Sequence, residues 1–145
     1  MNESSTIAEI LENARTIAVV GLTNREGRAS LGVSRYMQSQ GYRILPVNPQ
    51  IEEALGEKAY PTLDAAVAAL AGEGTSIDLV NVFRAPEFVP AIVDDVIRLR
   101  IPRLWLQEGV IHDEAALRAE SAGIRVVMDH CLLKERMAAG WKVRS

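Results

Sequence analysis

Five short apolar runs recur along the chain, and each is followed by a stretch with the period of a helix. They are TIAVVG at 16–21, YRILPV at 42–47, SIDLVNVF at 76–83, RLWLQ at 103–107 and IRVVM at 124–128. Runs this brief, rich in β-branched residues and lacking polar alternation, read as strands buried on both faces. Between and around them the apolar residues fall at helical spacing. Ser4 or Ser5 is expected to cap a first helix carrying Ile7, Ile10, Leu11 and Ala14. Ser30 or a neighbour opens a second through Leu31, Val33, Tyr36 and Met37, closed by Gly41. Thr62 caps a third through Leu63, Ala66, Val67 and Leu70. Pro86 opens a fourth through Phe88, Ile92, Val96 and Leu99, at a position that needs no amide hydrogen. The fifth spans 112–122 and ends at Gly123, and the sixth spans 131–138. Pro46 places the end of the second strand close by, and 48–62 reads as a loop.

Strand and helix in strict alternation imply a parallel sheet covered by helices on both faces. The expected architecture is α/β, a doubly wound Rossmann-like sheet of about five strands in three layers, with 1–145 as one domain. In such a sheet ligands sit outside the carboxyl ends of the strands, where the strand order reverses. The segments to inspect are therefore GLTNREGR, NPQ, FRAPE, QEG and DHC.

Bulk properties narrow the ligand. A formal net charge of −3 argues against a protein that coats nucleic acid but leaves room for one phosphorylated small molecule. The single cysteine, Cys131, excludes an internal disulfide framework and suits a reducing compartment. The polar N-terminus MNESSTIAEILENA has no apolar signal segment, and no apolar run approaches the roughly 20 residues of a membrane span. A cytoplasmic protein without membrane contact is expected. The apolar closing helix and Trp141 make a homodimer an open option.

After the first strand, Gly21 lets the backbone turn sharply and lets a phosphate approach. Thr23, Asn24 and Ser30 supply hydroxyl and amide groups, Arg25 and Arg28 supply charge, and the next helix offers free amide hydrogens. The dinucleotide fingerprint G-x-G-x-x-G with an acidic residue about 20 positions later is absent: Thr23 replaces a glycine, and the second strand ends in Val47, Asn48 and Pro49. The P-loop pattern fails for want of a lysine. Asn48 and Pro49 make a rigid surface suited to an aromatic base, or a simple Asn-Pro turn. Phe83 and Arg84 end the third strand, and Arg84 can meet a phosphate in bidentate fashion. Glu87 complements a helix N-terminus, Trp105 belongs to the core, and Gln107 and Glu108 reach the same rim.

VGLTNREGR, GYRILPVNP, LGEKAYPTL, VFRAPE, WLQEGV and VMDHCL follow one another in an order that resembles the small stand-alone CoA-binding proteins of bacteria and archaea. That family is similar to the N-terminal CoA-binding domain of the succinyl-CoA synthetase α subunit and of NDP-forming acyl-CoA synthetases. The resemblance runs from about Ile7 to about Met137. It implies coenzyme A at the strand ends, with Gly21, Leu22, Thr23, Asn24, Arg28 and Ser30 around the phosphates. Asn48 and Pro49 would flank the adenosine. Phe83, Arg84 and Pro86 would wall the site, and Leu106, Gln107 and Glu108 would border the pantetheine arm. The chain departs from the family pattern at Glu26 and Ala29, where proline is often seen and whose absence points to a looser loop. It departs again at His130, where arginine is common.

No catalytic constellation stands out. His112 and His130 sit at expected helix starts as caps or surface residues, and no C-x-x-C or H-E-x-x-H pattern suggests a metal. The chain is too short for the phosphohistidine domain of a synthetase. Cys131 is either a buried small hydrophobe or a thiol that meets the thiol of CoA. The expected function is non-catalytic binding of CoA or acyl-CoA as sensor, carrier or accessory module. An NAD(P)-dependent oxidoreductase on the same fold is the alternative.

Overall fold

Alternation of apolar strand and amphipathic helix carries through to the three-dimensional structure, a computed structural model that describes residues 1–140. In chain order the elements are α1 (Ser4–Asn13), β1 (Thr16–Val20), α2 (Ala29–Ser39), β2 (Arg43–Val47), β3 (Glu53–Ala54), β4 (Glu57–Lys58) and α3 (Leu63–Gly72). Then come β5 (Leu79–Val82), a 3₁₀ turn at Pro86–Phe88, α4 (Val89–Arg98), β6 (Arg103–Leu106), α5 (Asp113–Ser121), β7 (Arg125–Met128) and α6 (Leu132–Ala139). The main sheet is parallel throughout, in the order β2-β1-β5-β6-β7.

Side-chain parity explains the continuous apolar runs. Ile17, Val19, Ile44, Leu79, Trp105 and Val127 point to one face, where they pack with residues of α1, α2 and α6. Ala18, Val20, Leu45, Val80, Leu104 and Val126 point to the other, where α3, α4 and α5 cover them. Beyond the arginines that open β2, β6 and β7, nearly every position of the main sheet serves one core or the other, so no polar alternation survives. Trp105 is fully buried, as expected, and its indole N–H donates to His130 O at 2.8 Å. Pro46 lies within β2, which is the edge strand, where a missing amide hydrogen is tolerated.

Several boundaries differ from the sequence reading. Neither Ser4 nor Ser5 caps α1; both lie inside it, behind Glu3, and no side-chain cap forms. Helix α2 opens at Ala29, the neighbour of Ser30, within the reading given, and Arg28 holds its N-cap position. The third strand is shorter than SIDLVNVF, because Asp78 turns its carboxylate onto the N–H groups of Arg15 and Thr16. Pro86 begins a 3₁₀ turn, with α4 proper starting at Val89. Cys131 stands before α6, not in it. The expected loop at 48–62 contains the β3–β4 hairpin, whose turn places Leu55 and Gly56 at φ 56° and 76°. Thr62 and His112 do cap their helices, through Oγ1 to Ala65 N–H and Nδ1 to Ala115 N–H. Trp141, on which a homodimer was considered, lies outside the described residues.

Candidate functional site

Strands β1 and β5 are neighbours, yet the chain leaves them toward opposite faces: the segment after β1 leads to α2, the one after β5 to α4. That divergence opens a crevice at the switch point, where doubly wound sheets hold their ligands. An open cleft of about 1090 Å³ lies there. Gly21, Thr23, Asn24, Arg25, Arg28 and Ser30 line one wall, and Asn48, Phe83 and the 50–53 segment line the rest. Pro49 and Arg84 line a smaller recess of about 250 Å³ that shares Gly21 and Asn48 with the cleft.

The loop's polar side chains are largely spent on bracing the chain. Ser30 Oγ accepts from Thr23 N–H at 3.2 Å, and Asn24 Nδ2 donates to Glu53 O at 3.0 Å. Asn48 bridges two strand ends, donating from Nδ2 to Leu22 O and accepting on Oδ1 from Gln50 N–H. Glu26, standing where a proline was expected, pairs with Arg35 at 2.6 Å. These ties hold the loop that its two missing prolines had suggested would be loose. Gly21 too is set by packing: its φ is +91°, and a Cβ there would lie 2.6 Å from Phe83 O. That contact requires glycine here, and the residue also lines the cleft.

What remains unspent is cationic and amidic on the loop side, facing Glu52 and Glu53 on the 50–53 segment, which form no ion pair among the described residues. Arg28 occupies the N-cap position of α2 and supplies no acceptor, and nothing among the described residues accepts the amide hydrogens of Ala29 and Ser30. An uncapped helix start of this kind offers oriented donors and positive potential to an anion. Arg35, Arg43, Arg98, Arg103 and Arg118 are each held by a carboxylate at 2.6–2.9 Å. Arg25, Arg28 and Arg84, all at this crevice, pair with no carboxylate among the described residues. Arg84 instead lies over the Phe88 ring, 4.0 Å from its centroid, which holds the guanidinium beside the recess. A chain of net charge −3 thus concentrates three unneutralised cations at one place.

A second cavity of about 320 Å³ adjoins the cleft, with Ala29 and Phe83 lining both. Val33, Val110 and Cys131 make its apolar wall, with Arg84, Gln107 and Glu108 at its polar side. Glu108 is paired with Lys134 at 3.2 Å. Gln107 is 4% exposed, and its Oε1 accepts from Leu132 N–H at 2.9 Å. An N–H donor can face only the oxygen of the carboxamide, so the NH₂ group points away, and no described residue accepts from it.

The structure therefore brings Gly21, Thr23, Asn24, Arg28, Ser30, Asn48 and Phe83 into one cleft, with Pro49 and Arg84 beside it and Gln107, Glu108 and Cys131 in its apolar branch. It leaves the side chains of Leu22 and Leu106 in the core and Pro86 exposed on the 3₁₀ turn, outside these cavities. Ile51, Glu52 and Glu53 at the cleft, and Val33 and Val110 in the branch, escaped the sequence reading. The only signal for the first group was the Leu-Gly pair at 55–56, a two-residue hairpin turn that folds the segment back over the cleft.

Comparison with known proteins agrees with this geometry. Residues 15–137 match the family described as the CoA binding domain. The chain is 42% identical over 126 residues to the uncharacterized protein YneT of Bacillus subtilis, covering 87% of this chain and 88% of that one. A solved hypothetical protein from Pyrococcus horikoshii OT3 superposes with a TM-score of 0.83 at 31% identity, over 94% of this chain and 91% of that one. The apo form of a Ca. Korarchaeum cryptofilum dinucleotide forming acetyl-coenzyme A synthetase shares the fold at TM-score 0.68 and 22% identity, over 84% of this chain and 28% of that one. With most of its length, residues 15–137, inside the matched region, the chain belongs to the CoA binding domain family.

Proposed function

We propose that the protein binds coenzyme A, or an acyl derivative of it, as a non-catalytic single-domain module of the cytoplasm. The observation that carries this reading is the uncapped start of α2 facing a cleft with two unpaired arginines, Arg25 and Arg28, and a third, Arg84, in the adjoining recess. Coenzyme A presents a diphosphate and a 3′-phosphate, and these donors suit both. Arg28 and the amides of the Thr23–Ser30 loop take the diphosphate, Asn48 and Pro49 flank the adenosine, and Phe83 and Arg84 wall the site. Gln107 and Glu108 border the pantetheine arm in the apolar branch. The ligand supplies the thiol and any acyl cargo; the chain supplies retention and orientation. Both histidines are engaged in local structure, His112 as a cap and His130 through Nδ1 with Met128 O, which favours binding over acid–base work.

Calorimetric titration under reductant tests the reading. Coenzyme A should bind saturably, and NAD(H) and NADP(H) should give flat titrations. A charge-assisted contact is worth about 1.5–3 kcal/mol, so Arg28→Ala and Arg84→Ala should each weaken binding roughly 10- to 150-fold. Tighter binding of a nicotinamide dinucleotide than of coenzyme A would overturn the proposal in favour of an oxidoreductase.

A further inference from the structure

We infer that the apolar branch is a covalent retention site, in which Cys131 forms a reversible mixed disulfide with the thiol end of the bound ligand. The inference rests on the coenzyme A reading and extends it. Three features converge. The branch adjoins the phosphate cleft, with Ala29 and Phe83 lining both, so it lies within reach of a ligand anchored at α2. Cys131, 8% exposed, forms part of its wall. Gln107, deeply buried on the same wall, carries an NH₂ group that no described residue accepts. An arm of methylenes, methyls and secondary amides answers both needs: its apolar parts fill the Val33–Val110 wall and an amide carbonyl accepts from Gln107. Such an arm in coenzyme A ends in a thiol, in a cavity walled by the chain's single cysteine.

The chemistry is thiol–disulfide exchange with the symmetrical disulfide of the same ligand. Cys131 releases its proton to solvent, Sγ bonds to one sulfur of the incoming disulfide, and that disulfide's S–S bond breaks. The other half leaves as a thiolate with the electron pair. A second thiol reverses the step. The bound state then follows the ratio of ligand disulfide to free thiols, which makes the module responsive to redox poise.

Intact-mass spectrometry of the full chain provides the test. Protein incubated with coenzyme A disulfide should gain one coenzyme A less two hydrogens, lose it in dithiothreitol, and react at least 10-fold faster than with glutathione disulfide, which lacks the nucleotide anchor. Gln107→Glu keeps the acceptor for Leu132 N–H and removes the donor; it should slow the coenzyme A reaction without changing the glutathione rate. Equal rates for the two disulfides in the parent protein would mark Cys131 as an ordinary accessible thiol and overturn the inference. No adduct, in a protein that binds reduced coenzyme A by calorimetry, would overturn the inference and leave the binding function standing. No adduct together with no calorimetric binding would overturn both.

Discussion

Replacing Gly21 by alanine isolates the contact that shapes the switch point. The residue has φ +91°, and an added Cβ would meet the Phe83 carbonyl oxygen at 2.6 Å. A relaxed carbon–oxygen contact is about 0.6 Å longer, and the neighbour here is backbone. Phe83 cannot retreat cheaply, because its N–H is bonded to Val20 O at 2.8 Å within the sheet register. Gly27 is the matched control: its φ is +86°, and a Cβ there meets nothing within 4 Å. Both substitutions incur the left-handed backbone cost of about 1 kcal/mol, and only Gly21→Ala adds overpacking of about 2–3 kcal/mol. For a chain of 145 residues the unfolding entropy is about 0.3 kcal/mol per kelvin, so Gly27→Ala should lower Tm by about 3 °C and Gly21→Ala by about 10 °C. Thermal and urea unfolding followed by circular dichroism would measure both. Equal losses for the two variants would refute the account of Gly21 as a packing requirement.

Other expectations follow from individual contacts. Arg103 donates to Glu9 and holds its carboxyl below the usual value of 4.5. The stabilisation is therefore present above that value and lost as pH falls through the lower folded pKa; the parent should exceed Glu9→Gln by about 1–2 kcal/mol near pH 7, and the gap should close near pH 2. A gap that persists in acid would contradict the ion-pair assignment. Asn81 lies in register between Val19 and Trp105, buried, with Oδ1 unpartnered among the described residues. Asn81→Leu should raise the unfolding free energy by about 1–3 kcal/mol, and a less stable variant would mean that the carboxamide has a structural role. Phe88 is 43% exposed and supports Arg84. Phe88→Ala should weaken coenzyme A binding about 2- to 5-fold at unchanged Tm, since an exposed cation–π contact is worth about 0.5–1 kcal/mol; undiminished affinity would remove Arg84 positioning from the account.

The strands were legible because parallel strands covered on both faces are apolar at most positions, and β1 buries all five of its residues, four of them apolar. The site's location was legible through the same logic, since alternation fixes the fold and the fold fixes the rim. Its internal wiring was not. Asn24, Ser30 and Asn48 carry the residue types of a ligand shell, yet their partners are Glu53, Thr23, Leu22 and Gln50, contacts that depend on how distant segments fold together. The start of α2 is legible to within a residue, at Ser30 or a neighbour; what is not legible is that Arg28 takes the N-cap position and, offering no side-chain cap, leaves the helix start open to an anion. Gly21 was read for a ligand's approach, while its closest neighbour is the carbonyl of Phe83 on another strand. The hairpin was hidden because its strands are two residues long and polar, too short for any periodicity to register.

The central claim is that the open start of α2 receives a phosphate of coenzyme A. Amide chemical shifts recorded during a titration with coenzyme A examine it directly. The account predicts the largest saturable changes at Ala29, Ser30 and their neighbours in the loop after β1, with smaller ones at 48–53 and 83–84. Saturable shifts that spare Ala29 and Ser30, or a spectrum unmoved by the ligand, would contradict it.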